Sequence, residues 1–445
     1  MSDILKIGTT ILSEGIQYKI LDELGSGGQG IVYKVSDDSA LYALKWYNRQ
    51  TATPEQYRAI EALIEKGPPN DRFVWPISIA EGASTENFGY LMPLIDTKRF
   101  TKLSHYFGSE MRVRRFEPIL TACIQMAHSF YDLHLNGLCY KDISFGNVFI
   151  DFNNGDVQIC DNDNVTFDNL THAEENWGTQ GFMAPEIMRG DQPPSSLSDL
   201  FSLSVVIFRM LHFQHPLQGK REYDIEIADF DALMELYGKH PVFIYDPKDT
   251  SNRPVKGKKD MADYFWPYYP ESIKNRFVEA FTEGLTNPEM RVRESVWIKE
   301  LALLRSALMY CYSCGNQVFY RRECLNSSYS CPHCHKEIEY LPPRLKVGNR
   351  ILLLNHDTIL YANQILESNL MDYDKPFLKV EVHPVHEKFW GIRNLTENAW
   401  KVSGNTDNEK TIMTDDVVTL VEGLNIDFGT ASGSIKLGTN RRKPQ

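Results

Sequence analysis

Three glycines near the start of the chain have the spacing of a phosphate-binding loop. Gly25, Gly27 and Gly30 form the pattern GxGxxG, which lets a backbone approach closely and point its N–H groups at phosphate oxygens. The next residues, 31–35, have the composition of a strand. A β-hairpin that covers phosphates therefore fits better than a turn that opens a helix, as a dinucleotide-binding site would need. The glycine spacing by itself is equally compatible with a flexible loop.

Lys45 is the only charged residue in the segment 41–47, which is predicted to form the next strand. A lysine in such a place either keeps an edge strand soluble or directs a cation at phosphates. The short separation from the glycine loop favours the second role. Such a lysine needs a carboxylate partner, and Glu61 and Glu65 lie on one face of the predicted helix 54–66. We predict Glu61 as the partner, with a solvated helix face as the alternative for both residues.

Polar residues within the run 138–163 could supply the groups that a phosphoryl transfer requires. Asp142 and Asn147 lie between apolar segments, and Asp161 directly follows the mostly apolar segment 157–160. Phosphoryl transfer needs a carboxylate that orients the attacking hydroxyl and oxygen ligands that hold magnesium. Each acid taken singly could be a surface turn residue. The three together, in this order and between apolar strands, indicate a catalytic site.

These residues resemble the motifs of the eukaryotic-type protein kinase family. Residues 140–142 with Asn147 match the family pattern HRDxxxxN, and residues 161–163 match DFG. The resemblance implies a protein kinase of the serine/threonine type, which uses ATP and magnesium to phosphorylate a protein hydroxyl. By the family's roles, Asp142 is the catalytic base, while Asn147 and Asp161 hold magnesium.

The resemblance extends from Gly25 to about Arg305 and implies an α+β, bilobal protein-kinase fold over residues 1–305. In that fold Lys45 contacts the ATP phosphates and is held by Glu61. The residues expected to enclose the adenine are Val32, Ala43, Met92 and Leu94.

Three further segments resemble structural parts of the kinase family. Residues 178–186 resemble the end of an activation segment. Asp199 is expected to brace the catalytic loop from the start of a long buried helix. Arg291 is expected to pair with Glu186.

Departures from the family pattern bear on control and on the substrate. Lys141 replaces the arginine that reads a loop phosphate, and a lysine cannot make the same bidentate contact. Ser144 stands where serine/threonine kinases carry a lysine, and Asp163 replaces a glycine, adding a carboxylate that could face a metal. Two alternatives therefore stay open, a catalytically silent ATP-binding scaffold and a kinase that acts on a small molecule. Phosphorylation is expected to change activity little at the three loop threonines, Thr166, Thr171 and Thr179.

Four cysteines form two close pairs with the spacing CxxC-x16-CxxC. They are Cys311, Cys314, Cys331 and Cys334. Two such knuckles supply four thiolates to a tetrahedral zinc ion, and they predict a zinc ribbon over residues 306–340. A pair of disulfides and an iron centre with the same four sulfurs are the alternatives. Because four protein ligands close the site, the zinc is expected to be structural.

The last segment, 341–445, is predicted to be a small β-sandwich. Turn residues separate runs of strand composition at 350–354, 377–382, 390–394, 417–421 and 425–428. The runs 389–402 and 418–429 resemble a forkhead-associated domain, a family of eleven-stranded sandwiches that bind phosphothreonine peptides through their loops. The arginine and the serine–histidine pair expected for that contact are missing, which indicates protein binding without phosphate recognition. A domain that serves only for packing is the alternative.

The order of kinase, zinc ribbon and β-sandwich resembles bacterial eukaryotic-like kinases associated with tellurite-resistance and stress operons. Besides a protein substrate, the resemblance implies a von Willebrand A-type protein and a serine/threonine phosphatase as partners. A partner bound through the rear domains is expected to control activity more than a loop phosphate does.

Composition limits the compartment and the partners. The 445 residues predict two or three domains, and a formal net charge of -12 disfavours a general nucleic-acid or anionic-membrane binder. No stretch is long and apolar enough to span a bilayer, and residues 1–6 lack the order of a secretion signal. Cys123, Cys139 and Cys160 lie in apolar contexts typical of buried thiols. We therefore expect a reducing, cytoplasmic location.

Overall fold

The computed structural model contains two compact units that interleave along the chain. It describes residues 4–82, 87–107, 115–168, 178–227, 229–258, 261–321, 329–338, 340–366, 371–386, 389–404 and 409–440. The first unit comprises residues 1–111, 125–258 and 278–292, and the second comprises 112–124, 259–277 and 293–445. Three segments of the predicted kinase region therefore belong to the same compact unit as the C-terminal part of the chain.

The first unit begins with six antiparallel strands that close into a barrel in the order β1-β2-β3-β4-β6-β5. They are β1 (Thr10–Ser13), β2 (Ile16–Ser26), β3 (Gly30–Ser36), β4 (Leu41–Tyr47), β5 (Ser78–Glu81) and β6 (Phe88–Pro93). The barrel core is apolar and includes Ile20, Val35, Leu44 and Leu91. Strand β1 closes the barrel by pairing with both β2 and β5.

Helix α1 (Pro54–Lys66) follows β4 and buries one of its faces. Its first turn is capped by Thr53, whose side chain accepts a hydrogen bond from the Gln56 amide. Ile60 and Leu63 are buried, and they set the rotation of the helix about its axis.

The rest of the kinase-like region is mainly helical. Its elements are β7 (Thr101–Lys102), α2 (Phe116–Leu135), β8 (Leu138–Tyr140), β9 (Val148–Ile150), β10 (Val157–Ile159), β11 (Val165–Phe167), α3 (Pro185–Met188), α4 (Ser196–His212), α5 (Lys220–Tyr223), α6 (Phe230–Leu233), α7 (Met261–Phe265), α8 (Glu271–Phe281), α9 (Glu283–Thr286) and α10 (Glu294–Ser306). Helix α4 is buried over most of its length and begins at a capping box between Ser195 and Ser198. Short sheets β10-β9-β7 and β11-β8 carry the loops between α2 and α3.

A small cysteine-bearing module follows α10 in the second unit. Strands β12 (Leu308–Tyr310) and β13 (Gln317–Phe319) form one hairpin, and β14 (Tyr340–Leu341) leaves the module. Its core includes Met309, Val318 and Ile338 around two of the cysteines.

The C-terminal residues form two β-sheets that share one apolar core, as predicted. The strands are β15 (Arg344–Val347), β16 (Arg350–Leu353), β17 (Ile359–Tyr361), β18 (Pro376–Val382), β19 (Trp390–Asn394), β20 (Trp400–Ser403), β21 (Lys410–Ile412), β22 (Val417–Thr419), β23 (Asn425–Asp427) and β24 (Ser432–Lys436), with a short helix α11 (Ala362–Ile365). The last strand, β25 (Thr439–Asn440), pairs with β14 instead. One sheet has the order β16-β15-β24-β23-β20-β21, and the other has β17-β18-β19-β22. Leu345 and Ile426 from the first sheet and Leu378 and Ile392 from the second lie in the same core.

Polar contacts connect α10 to the sandwich within the second unit. The buried Arg305 guanidinium donates to the Tyr373 carbonyl at 3.0 Å and lies over the Tyr361 ring. Next to α10, the carbonyl of Leu308 in β12 accepts from the Asn355 amide at 2.9 Å. The sandwich is therefore attached by contacts to the helical part of its own unit as well as by the chain that leads into it.

Among the helices that the structure describes, none combines the length and the apolar character that crossing a bilayer requires.

Candidate active site

Strand β4 presents Lys45 to a cluster of acidic groups. Because side chains alternate along a strand, Leu44 and Trp46 point into the barrel core while Lys45 points to the opposite side. The Lys45 ammonium lies 2.5 Å from an Asp161 carboxylate oxygen and 2.7 Å from an Asp163 oxygen. It also donates to the Gln29 side chain at 2.8 Å.

Asp163 is the more deeply buried of the two carboxylates. Its side chain is 0% exposed, against 33% for Asp161. Both of its oxygens accept from Lys45, and it also accepts from the Tyr47 hydroxyl at 2.6 Å and the Tyr90 hydroxyl at 3.2 Å. Burial alone would raise the pKa of Asp163, but Lys45 and the two hydroxyls hold it below its usual value.

The sequence predicts that Glu61 of α1 is the carboxylate partner of Lys45. In the structure, the carboxylates beside Lys45 come from the 161–163 turn instead. Glu61 is exposed, and the ion-pair partners of Lys45 are Asp161 and Asp163. Because Ile60 and Leu63 form the buried face of α1, the neighbouring position 61 points away from the site. Asp163 likewise faces Lys45, and both of its oxygens contact the lysine; the expectation that it could also face a metal stays a prediction.

The glycine loop is a β-hairpin turn between β2 and β3, as the strand composition of residues 31–35 predicts. A Cβ at Gly30 would lie 2.1 Å from the Trp46 carbonyl oxygen, so only glycine fits there. Gly25 and Gly27 have open space instead. The Asn48 amide donates to the Gly28 carbonyl at 2.6 Å, which ties the loop to the segment after β4.

The predicted adenine residues lie near the same side of the barrel. Ala43 and Met92 are buried and are paired directly across β4 and β6. Val32 pairs with Lys45 across β3 and β4 and is half-buried. Leu94, just after β6, is also half-buried. The strand register thus places Val32 and Met92 on the two strands beside β4, which itself carries Ala43.

A loop between β8 and β9 carries the predicted base. The Asn147 amide donates to the Asp142 carbonyl at 2.9 Å and lies 3.3 Å from a carboxylate oxygen of the same residue. The Thr179 hydroxyl donates to the other carboxylate oxygen at 2.6 Å. The carboxylate of Asp142 is thereby fixed in orientation from two sides.

A hairpin brings the two predicted magnesium ligands to one end. Val148 pairs with Ile159, so Asn147 before β9 and Asp161 just after β10 lie at the same end of the β9–β10 pair. Asp161 has a left-handed backbone with φ of 61°, a sparsely populated conformation that often occurs at functional sites. Burial and the nearby Asp163 raise the pKa of Asp161. A carboxylate and an amide oxygen suit magnesium, so the donor set fits the ion.

Asn162 occupies the middle of the 161–163 motif and is fully buried. Its amide donates to the Val74 carbonyl at 2.8 Å and to the Ile159 carbonyl at 3.0 Å. These two bonds fix the turn that presents both flanking aspartates.

Two predicted structural contacts are confirmed. Asp199 accepts from the Tyr140 amide at 2.6 Å and lies 3.1 Å from the His134 ring, so it braces the catalytic loop. Burial is the main cause that raises the pKa of Asp199 to about 6. Arg291 makes a bidentate contact with Glu186, with both N–O distances at 2.8 Å.

The four paired cysteines converge at one point of the second unit. Their sulfurs all lie within 4.8 Å of one another, and the Cys311–Cys334 and Cys314–Cys331 distances are 3.7 Å each. A disulfide would need a distance near 2.05 Å, whereas a tetrahedral ion with metal–sulfur bonds of about 2.3 Å separates its sulfurs by about 3.8 Å. The cluster therefore has the dimensions of a four-thiolate metal site.

A comparison with known families agrees with the geometry of the first site. The profile described as "Protein kinase domain" matches residues 18–293, which is more than half of the chain. The chain belongs to the protein kinase family. The protein kinase match includes Lys45, Asp142, Asn147 and Asp161 and ends before the cysteine cluster.

Several curated protein kinases are similar to the chain at low identity. The DNA damage-responsive serine/threonine-protein kinase RqkA of Deinococcus radiodurans is 25% identical over 218 residues, which are 47% of this chain and 32% of RqkA. The probable serine/threonine-protein kinase PknB of Lactococcus lactis is 24% identical, over 56% of this chain and 41% of PknB. Protein kinase YegI of Escherichia coli O157:H7 is 23% identical, over 76% of this chain and 52% of YegI. The chain thus spans only a third to a half of the length of these relatives.

Within the described ranges, four side chains around Lys45 and Asp163 were not predicted from the sequence. They are Gln29, Tyr47, Gln56 and Tyr90. A signal for Tyr47 exists, since it follows Lys45 by two positions and must share its face of β4. Tyr90 needs the register of β6 against β4, which pairs it with Lys45 and which no local pattern specifies.

Proposed function

We propose that the chain is an ATP- and magnesium-dependent serine/threonine protein kinase. The observation that carries the proposal is the convergence of Lys45, Asp142, Asn147 and Asp161 within a chain of the protein kinase family. The names of RqkA and PknB support the serine/threonine type.

The residues support a division of labour between phosphate binding and hydroxyl activation. The glycine loop and Lys45 would hold the ATP phosphates, and Asn147 and Asp161 would hold magnesium, which neutralises charge on the transferred group. Asp142 accepts the proton of the attacking hydroxyl. Its orientation by Asn147 and Thr179 supports this role, because a base must be aligned before the acceptor arrives. Val32, Ala43, Met92 and Leu94 would enclose the adenine.

Acceptor type is tested by incubating the chain with γ-labelled ATP, magnesium and a generic acceptor protein. Hydrolysis of the labelled product should give phosphoserine or phosphothreonine. Phosphotyrosine would show that the chain phosphorylates tyrosine instead of serine or threonine. Label on a small molecule but on no protein would favour a small-molecule kinase, and ATP binding without any transfer would favour a silent scaffold.

We also propose that the four cysteines bind one structural zinc ion. Sulfur separations of 3.7 Å and the burial of Cys311 and Cys331 support a closed tetrahedral site with no position left for a substrate. Elemental analysis of protein purified without added metal distinguishes zinc from iron with the same ligands.

The rear part of the chain is proposed to bind a protein partner in the cytoplasm. The forkhead-associated resemblance supports a protein-binding sandwich, and the operon resemblance suggests a von Willebrand A-type protein and a serine/threonine phosphatase. Mixing the purified chain with each candidate in gel filtration tests the proposal. Co-elution that is lost after deletion of residues 341–445 would support it, and independent elution would remove the candidate.

A further inference from the structure

The contacts of Asp163 differ in kind from those of Asp161, although both carboxylates touch Lys45. Asp161 is one-third exposed and can exchange its partner for water or a metal ion. Asp163 is fully enclosed, and its two oxygens are shared by Lys45, Tyr47 and Tyr90. A carboxylate this deeply buried stays charged only beside a cation, because an unpaired buried charge is strongly unfavourable.

Helix α1 contributes a neutral group to this cluster instead of a charge. Gln56 shares the buried face of α1 with Ile60 and Leu63, and its amide donates to the Tyr47 hydroxyl at 2.9 Å. Glu61 and Glu65 are both exposed on the same helix. Among the side-chain hydrogen bonds and ion pairs of the described residues, the link from α1 to this cluster is the bond from Gln56 to the Tyr47 hydroxyl.

We propose that Asp163, and not a carboxylate of α1, is the residue that positions Lys45 for phosphate binding. The orientation of Lys45 then depends on the segment that contains Asp161 and Asn162, and it does not require an ion pair with α1. Control of this kinase would act on the turn at 161–163 more than on the placement of α1. The role of this ion pair in phosphate binding rests on the proposed kinase function, but the ion pair itself can be tested without nucleotide.

The first test measures thermal unfolding of the full chain without ATP. Lys45→Met leaves Asp163 buried without a cation and should lower the unfolding temperature of the kinase region by roughly 5–10 °C. Adding Asp163→Asn to that variant should restore at least half of the loss, because the uncompensated charge is removed. If Asp163→Asn instead lowers the unfolding temperature by the same amount in the parent and in Lys45→Met, the two residues do not form a stabilising ion pair. That conclusion holds whether or not the chain is a kinase.

The second test compares turnover and nucleotide affinity. Asp163→Asn preserves shape and should lower kcat at least tenfold, about 1.4 kcal/mol in the barrier. When Asp163→Asn is added to Lys45→Met, the residual turnover should not fall further, and the affinity for ADP should stay that of Lys45→Met. Glu61→Gln and the matched control Glu65→Gln should both stay within about twofold of the parent.

Two outcomes would contradict the proposal. Full turnover in Asp163→Asn would show that Asp163 does not position Lys45. A loss in Glu61→Gln that equals the loss in Lys45→Met would return the role to α1. Absence of transfer in the unmodified chain would instead count against the proposed function, and the unfolding experiment would still decide the ion pair.

Discussion

Asp199 is a buried carboxylate whose charge state should be visible in the pH dependence of stability. Its pKa is about 6 in the folded chain, mainly because of burial, against about 3.9 when unfolded. Between these values the folded state binds more protons, so the free energy of unfolding falls as pH rises from about 4 to 6.

We expect Asp199→Asn to remove this pH-dependent fall in the free energy of unfolding, which is about 2–3 kcal/mol. Chemical denaturation of both proteins at several pH values measures it, with His134→Gln in parallel to separate the contribution of the neighbouring ring. Curves for parent and Asp199→Asn that stay parallel from pH 4 to 7 would show that Asp199 is charged throughout.

Gly30 allows the closest backbone approach in the glycine loop. Gly30→Ala would place a methyl group 2.1 Å from the Trp46 carbonyl oxygen, which belongs to the backbone of β4 and cannot move alone. We expect weaker ATP binding and a lower unfolding temperature. Gly28→Ala is the matched control, since a Cβ there has nothing within 4 Å. Similar ATP affinity in both variants would contradict the packing argument.

Thr179 connects the activation segment to the predicted base Asp142. Because of this contact, the loop threonines have to be tested one at a time. Thr166 lies in β11 opposite Cys139, and Thr171 lies outside the described residues. The Thr179 hydroxyl donates directly to Asp142, so its removal disturbs the base whether or not the loop is phosphorylated.

We therefore predict that Thr179→Ala lowers kcat about tenfold or more, while Thr179→Ser retains most activity and Thr166→Val changes little. Steady-state assays with one acceptor protein measure all three. Equal losses in Thr179→Ala and Thr179→Ser would mean that the methyl group, and not the hydroxyl, is needed. A large loss in Thr166→Val alone would indicate that a phosphate in the loop is required after all.

The cysteine module is a small element whose folding would depend on the zinc ion proposed for its four cysteines. Its own apolar core is a handful of side chains, including Met309, Val318 and Ile338, and small modules of this kind depend on metal for folding. We expect one zinc per chain. A strong chelator or Cys331→Ser should increase hydrogen exchange across residues 308–341 before the barrel is affected. Unchanged exchange after complete metal removal would contradict a structural role.

Patterns in the sequence identified elements well where a local period decides the structure. All five predicted runs of the sandwich appear in strands, as β16, β18, β19, β22 and β23. Strand β1 was not predicted, because its role depends on pairing with β5, which is distant in the chain. The partner of Lys45 was placed on α1 because helix spacing was known but the rotation set by Ile60 and Leu63 was not.

For the whole molecule, the motifs predicted the family and the order of the parts, but not the compact units. A boundary near residue 305 follows from where the kinase resemblance ends. Contacts such as that of Arg305 with the Tyr373 carbonyl instead group α10 with the sandwich. Such grouping depends on contacts between distant segments, which composition and periodicity do not encode.

The acidic site of the first unit is proposed to transfer phosphate from ATP to protein. The most direct measurement is label transfer from γ-labelled ATP to an acceptor protein, with and without magnesium, by the parent chain and by Asp161→Ala. We predict magnesium-dependent labelling by the parent and a loss of at least about a hundredfold in Asp161→Ala, with an unchanged circular dichroism spectrum. Undiminished labelling by Asp161→Ala would remove Asp161 from the site, and no labelling by the parent with any acceptor would contradict the proposed kinase activity.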